Sequence, residues 1–360
     1  MFNINFYRNI KIIIKLLLLY LVLFYFCLSN FNHNKYYIKY NKAIKRLEIS
    51  KELNKIYSIL YDISRFGQLD TNFTNVINTK NYPINKIKGI CGCIIGKNEQ
   101  LYAKEFVKYY QLIGFDKLYI FDNNDINKEN FETILNDYIK IKFVEIIDIK
   151  GFESVQIPIY NYCYQTNKDK YDFITFIDFD EYIFINNTKN NINEYLYNER
   201  FKKCQTILLS WKIYDDNDLE NYDDRTLLER FTRPIGDLCT VKSIVRGGIN
   251  DLIIPNTHVT GININYFCNS EGERVFPKSF KNITCKTNPI AYIKHFYTKT
   301  VDEFCNKIKK SDAHFNKKNP LYQPIIFQKI ENFFTINNVT KNKIKKLEKC
   351  LNLNLNKYKK

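Results

Sequence analysis

The run "FITFIDFDEYIFI", Phe173 to Ile185, interrupts a strand-like apolar stretch with three carboxylates, Asp178, Asp180 and Glu181. Burying such groups is costly unless cations or hydrogen-bond donors pair them. Asp178 and Asp180 stand two positions apart, so in extended chain they project from one face and repel each other. Oxygen ligands suit a hard divalent ion, Mg²⁺ or Mn²⁺. A cation bound to a diphosphate makes it a better leaving group by neutralising the charge that develops on it. The other use of the same acids is a structural pair satisfied by Lys, Arg and backbone N–H.

The elements around this segment explain how it could be positioned. Gly89 to Ile95 reads as a buried strand, and "LYAKEFVKYYQLIGF" carries apolar residues at helical spacing. "KLYIFDNND" reads as a second strand ending in turn residues, "KENFETILNDYI" as a helix and "IKFVEIIDI" as a third strand. "VQIPIYNYCYQTN" follows as a helix, and "YDFITFIDFDEY" as a fourth strand. Strands separated by helices predict an α/β fold, a mostly parallel Rossmann-like sheet with helices on both faces and right-handed crossovers. Ligands bind such sheets at the carboxyl ends of the strands. Asn98 and Glu99, Asp122 to Asp125, and Asp178 to Glu181 all fall at those ends.

At this point the order of motifs resembles glycosyltransferase family 92 and related enzymes of the GT-A fold. The resembling segments are "CGCIIGKNEQLYAKEFVKYYQLIGFDKLYIFDNND", "QIPIYNYCYQTNKDKYDFITFIDFDEY", "LLSWKIYDDND", "VKSIVR" and "YIKHFYTKTVDEFCNKI". The resemblance implies transfer of a sugar, galactose as lead, from a UDP-sugar to a glycan or glycoconjugate acceptor, with inversion. It implies that Asn98, Glu99, Asp122 and Asn123 touch the nucleoside, and that Asp178 and Asp180 hold Mn²⁺ or Mg²⁺. Lys242 and Arg246 would neutralise phosphates, a role their charge suits; a solvated basic edge is the plain alternative. A third metal ligand is expected from His258 in "PNTHVTG" or His295 in "YIKHFY", from a chain with only four histidines. Inversion needs a carboxylate to take the acceptor proton. Asp215 and Asp216 after Trp211 could supply it. The family often has Gly where Asp215 stands, which favours Asp216. Trp211 would either stack on a sugar or fill the core.

The remaining features bound the setting. Net charge is +16 over 360 residues. The lysines are spread along the chain with abundant Asn, Ile, Tyr and Phe, and no nucleic-acid motif accompanies them, so no nucleic-acid partner is expected. Ile12 to Leu28 is almost wholly apolar and follows Arg8 and Lys11. We expect a cytoplasmic tail over 1–11, a transmembrane signal anchor over 12–31 and a stem over 32–87. A transferase domain over 88–315 and a basic helical tail over 316–360 would follow. That organisation implies a single-pass type II membrane protein of Golgi or ER. The ten cysteines show no zinc-site spacing, and Cys91 and Cys93 read as small hydrophobes on one strand face. Two other function classes remain at this level: a metal-dependent nucleotidyltransferase, and a non-catalytic glycan-binding protein on the same fold.

Overall fold

The computed structural model describes residues 45–46, 48–51, 89–125, 130–152, 155–186, 190–250, 252–258, 264, 266–276, 288–309 and 322–355. The expected cytoplasmic tail, anchor and nearly all of the stem lie outside these residues. No helix among the described residues is long and apolar enough to cross a membrane.

The first strands behave as their sequences dictate. β1 (Ile90–Gly96) is buried at every position, and β2 (Lys117–Asp122), β3 (Val144–Asp148) and β4 (Phe173–Phe176) join it. They lie in the order β3-β2-β1-β4, all parallel. Side chains of β1 alternate between two cores, as the period of a strand requires. Ile90 and Ile94 face α1 (Gln100–Leu112) through Phe106, Val107 and Tyr110. Cys91, Cys93 and Ile95 face α4 (Gln156–Asn167) through Ile159, Tyr160 and Cys163. Between β2 and β3 lie two short helices, α2 (Phe131–Ile134) and α3 (Asn136–Lys140).

Beyond β4 the sheet is mixed, so the expectation of a mostly parallel sheet holds only for its first half. β6 (Thr206–Tyr214) and β7 (Pro234–Arg246) pair antiparallel, and β7 lies antiparallel to β4. β10 (Ala291–His295) is parallel to β6, and β5 (Glu181–Ile185) closes the edge antiparallel to β10. Two short strands, β8 (Phe267–Cys268) and β9 (Arg274–Val275), extend from β6. Two small helices, α5 (Ile192–Leu196) and α6 (Leu227–Arg230), fill the connections.

The opening segment is therefore two strands, not one. β4 stops at Phe176, and the Glu181 N–H donates to the Asp178 carbonyl at 3.0 Å, closing a turn. The same-face argument for Asp178 and Asp180 assumed extended chain and does not apply to this turn. Phe179 between them is buried and stacks on Phe131 at 5.3 Å. Gly96 leaves room for both rings, since a Cβ there would lie 2.6 Å from Phe131 and 2.7 Å from Phe179.

The last three helices, α7 (Val301–Lys309), α8 (Tyr322–Ile336) and α9 (Lys341–Leu351), share a separate apolar cluster of Phe304, Ile308, Phe333, Ile344 and Leu347. A disulfide joins Cys305 of α7 to Cys350 of α9. Cys93–Cys163 and Cys204–Cys268 are also bonded. The small-hydrophobe reading thus holds for Cys91, a buried thiol, and fails for Cys93, which ties β1 to α4.

Candidate active site

The carboxyl ends of β1 and β2 are laced together. The Asn98 N–H donates to Asn124 Oδ1 at 2.7 Å, the Asn124 N–H to Asp122 Oδ1 at 3.0 Å, and the Asn123 N–H to the Gly96 carbonyl at 2.8 Å. Asn98 takes a left-handed backbone (φ 54), a conformation Asn tolerates better than most residues. Asp122 is buried and pairs with Lys150 at 2.8 Å. With its amide nitrogen turned inward, Asn123 donates to the carbonyls of Ile149 and Phe152. Asp122 and Asn123 thus shape the strand ends, while the buried Asn124 Nδ2 has no hydrogen-bond partner among the described residues.

Asp178 and Asp180 are held by different cations. Lys242 Nζ lies 2.8 Å from Asp178 Oδ2 and 3.2 Å from Glu181 Oε2. Gln156 and Tyr160 of α4 donate to Asp178 Oδ1, each at 3.2 Å. Burial would lower the Lys242 ammonium, but Asp178 and Glu181 outweigh it and hold its pKa well above the usual lysine range. Burial pushes Glu181 up to about 8 against the pull of Lys242. Its Oε1 has no hydrogen-bond partner among the described residues.

Asp180 Oδ2 lies 2.8 Å from Lys307 Nζ and 3.7 Å from Lys299 Nζ, while Oδ1 lies 3.7 Å from His295 Nε2. Burial would raise the Asp180 carboxyl, yet Lys307 and Lys299 outweigh it and hold it well below the usual carboxylate range. Burial depresses His295 to about 3, so its ring is neutral and its approach to Asp180 is not an ion pair. Glu99, at the start of α1, is close enough to Lys307 to contribute to the raised pKa of that lysine, although burial works against it and Asp180 contributes more.

Trp211 belongs to the same wall. Its ring centroid lies 4.2 Å from that of His295 and 5.2 Å from that of His258. A register shift between Ser210 and Trp211 against β7 re-aims the indole, as bulges do. His258 Nδ1 lies 3.1 Å from the Val241 carbonyl, one residue from Lys242. Of the two candidate histidines, the structure brings His295 to Asp180.

Arg246 is placed elsewhere. It sits opposite Phe173, at the start of β4, and donates to the carbonyls of Cys204 and Phe201 at 3.0 and 2.9 Å. Asp215 pairs with Arg233. Asp216 is fully buried, with Lys343 of α9 at 2.8 Å and the Asn337 side chain accepting its N–H at 2.8 Å. Those contacts tie Asp216 to the C-terminal helices rather than to Lys242, Lys299 or Lys307.

Residues 88–335 match the family described as glycosyltransferase family 92. The chain belongs to that family. The family 92 chain is accordingly a glycosyltransferase, which sets aside the nucleotidyltransferase and glycan-binding readings. A search of curated proteins finds no significant match. Among solved structures, S. aureus TarS 1-349 aligns at 11% identity over 68% of this chain and 70% of its own, with a TM-score of 0.34. The same protein in complex with UDP-GlcNAc aligns at 12% identity over 73% and 79%, with a TM-score of 0.31.

Among the described residues no group of three or more His, Cys, Asp and Glu side chains is placed to hold a metal ion, so a divalent cation here would have Asp180 and His295 as its protein donors and would need further oxygens from a bound diphosphate or water. A carboxylate, Asp180, faces a neutral imidazole, His295, and metal ligation requires both groups in those protonation states. His295 Nδ1 has no hydrogen-bond partner among the described residues. Sequence reasoning placed Glu181 at the strand end without giving it a role, and missed Lys299 and Lys307 as members of the site. Lys299 and Lys307 stand in the segment "YIKHFYTKTVDEFCNKI", but nothing local distinguishes two lysines within a chain of 54 basic residues.

Proposed function

We propose that this family 92 enzyme moves a sugar from a UDP-sugar, galactose as lead donor, to a glycan or glycoconjugate acceptor, with Mn²⁺ or Mg²⁺ bound. The observation that carries this reading is the Asp180–His295 pair beside a ring of lysines at the carboxyl ends of a parallel half-sheet. The strand order β3-β2-β1-β4 followed by an antiparallel neighbour supports a GT-A assignment.

The charge balance supports metal dependence. Lys242, Lys299 and Lys307 face Asp178, Asp180 and Glu181, so the protein nearly neutralises itself. A donor diphosphate then brings negative charge that lysines already paired with these acids offset only in part, and a divalent cation would supply the rest. Asp180 and His295 would hold that cation, with Asp178 adjacent in the turn. Lys242 would orient Asp178 and face a phosphate oxygen. Asn124, whose Nδ2 has no hydrogen-bond partner among the described residues, would present a donor to the nucleoside beside Asn98 and Glu99. Trp211 would form the sugar-facing wall. Asp216 is our candidate for the group that takes the acceptor proton, which requires Lys343 to leave its carboxylate. Inversion and the galactose donor rest on the family resemblance alone.

The bonded cysteines support an oxidising compartment for the body. We therefore propose a lumenal catalytic body behind a type II anchor at 12–31, in Golgi or ER.

The test is thermal stability of the protein with UDP, GDP, CMP and ADP, each with and without Mn²⁺. Saturation at a hundred times Kd stabilises by about 2.7 kcal/mol. A rise specific to UDP and requiring Mn²⁺ is expected. A protein that melts cooperatively and responds to no nucleotide would sink the reading.

A further inference from the structure

Two lysines share one oxygen of Asp180, and they are built differently. Lys299 Nζ lies 3.7 Å from Oδ2 and 4.4 Å from the centroid of the Tyr102 ring, and its side chain is 5% exposed. Its backbone is left-handed (φ 56), a conformation that the Cβ of a non-glycine residue disfavours. Strain of that kind persists where the surroundings over-determine a position. Lys299 is a fixed part of the wall.

Lys307 reaches the same oxygen from the last turn of α7. Its Nζ donates to Asp180 Oδ2 at 2.8 Å and to the Tyr297 carbonyl at 2.9 Å, above the Tyr297 ring at 4.3 Å. Its side chain is 22% exposed, so its flexible four-carbon stem has solvent to move through. The helix beneath it is anchored at three points. Glu303 forms a two-pronged salt bridge with buried Arg230 at 2.7 and 2.9 Å. Cys305 is bonded to Cys350, and Phe304 packs on Phe333 at 4.6 Å. A rigid helix thus presents one movable ammonium to Asp180, whose other oxygen faces neutral His295.

An ammonium and a divalent cation cannot both neutralise Asp180 at close range without repelling each other. We propose that Lys307 is an exchange residue: its ammonium neutralises Asp180 in the cation-free site and transfers to the donor diphosphate when a divalent cation takes Asp180 and His295. The inference rests on the metal-nucleotide reading given above and adds a second position for one side chain. It makes metal and donor binding cooperative. The cation frees the lysine, and the diphosphate then receives both charges. It also gives Lys307 opposite effects on the two ligands, which a purely structural lysine would not have.

The test uses the full chain and two direct binding measurements, Mn²⁺ alone by electron paramagnetic resonance and UDP with saturating Mn²⁺ by calorimetry. In Lys307→Gln, Mn²⁺ alone should bind about threefold or more tighter, because a competing cation is gone. UDP should bind about tenfold weaker, because a phosphate partner is gone. Lys307→Arg should stay within about twofold of wild type for both, since it keeps the charge. Unchanged affinities, or a loss of both together in Lys307→Gln while the wild type binds both ligands, overturn the exchange. A folded wild type that binds neither ligand overturns the underlying metal-nucleotide reading, and the exchange with it.

Discussion

Asp216 and Lys343 stand 127 residues apart in sequence and meet at 2.8 Å, with neither side chain more than 1% exposed. The pair joins the loop after β6 to the first turn of α9, and Asn337 reinforces it through the Asp216 N–H. Removing one partner of a buried pair leaves the other charged and unpaired, at a cost of about 3–5 kcal/mol. Asp216→Asn should therefore lower the melting temperature sharply. The double variant Asp216→Asn with Lys343→Met should recover most of that stability. Activity separates the roles: a double variant that is stable and inactive keeps Asp216 as the base, and one that is stable and active makes it purely structural.

The turn acids lead to a different expectation. Asp180→Asn should remove Mn²⁺-dependent UDP binding and lower turnover by at least about a hundredfold, as losses of charge-stabilising groups at reaction centres do. Asp178→Asn should act through Lys242, which loses its 2.8 Å charged partner and, among the described residues, keeps Glu181 as its ion-pair partner. Steady-state kinetics across a Mn²⁺ titration distinguish them. Near-normal turnover with unchanged metal dependence in both variants would falsify the metal assignment.

Acid stability should report on Glu303. Burial alone would raise its carboxyl, but hydrogen bonds from Arg230, Thr300 and Tyr102 outweigh burial and hold it below its ordinary 4.5. A carboxyl depressed in the folded state contributes stability that is full above its unfolded pKa and lost as pH falls through the folded one. The wild type should thus lose stability below pH 4.5, and Glu303→Gln should lose less over the same window while starting from a lower value. Urea midpoints measured as the pH is lowered give the comparison; parallel curves would remove Glu303 from the account.

The Cys305–Cys350 bond closes a 45-residue separation, for which the chain-entropy treatment gives about 4 kcal/mol. The paired Cys305→Ala and Cys350→Ala variant should melt earlier. UDP affinity should also fall, because α7 carries Lys307 into the site. A lower melting temperature with unaltered UDP binding would show that the salt bridge to Arg230 suffices to place the helix.

Local pattern determined the first half of this protein. Continuous apolar strands alternating with amphipathic helices can bury both faces only as a parallel layer, and β3-β2-β1-β4 follows. The same pattern put Asn98, Asp122 and Asp178 at the ends of those strands, because polar residues that terminate a buried strand have nowhere else to go. Tertiary structure decided the rest. Whether "FITFIDFDEYIFI" continues as one strand depends on whether a neighbour waits for each half, and β5 finds β10 across the sheet instead. The acids of that segment were legible, but their partners were not. Lys242, His295, Lys299 and Lys307 come from two strands, a loop and a helix, 61 to 127 residues from the acids they meet, and lysines carry no local mark of the carboxylate they will meet. Asp216 shows the limit most plainly. Its neighbours in sequence form a polar turn, and only the docking of α9 encloses it, because long-range packing sets the dielectric and the counter-charge that determine what a carboxylate can do.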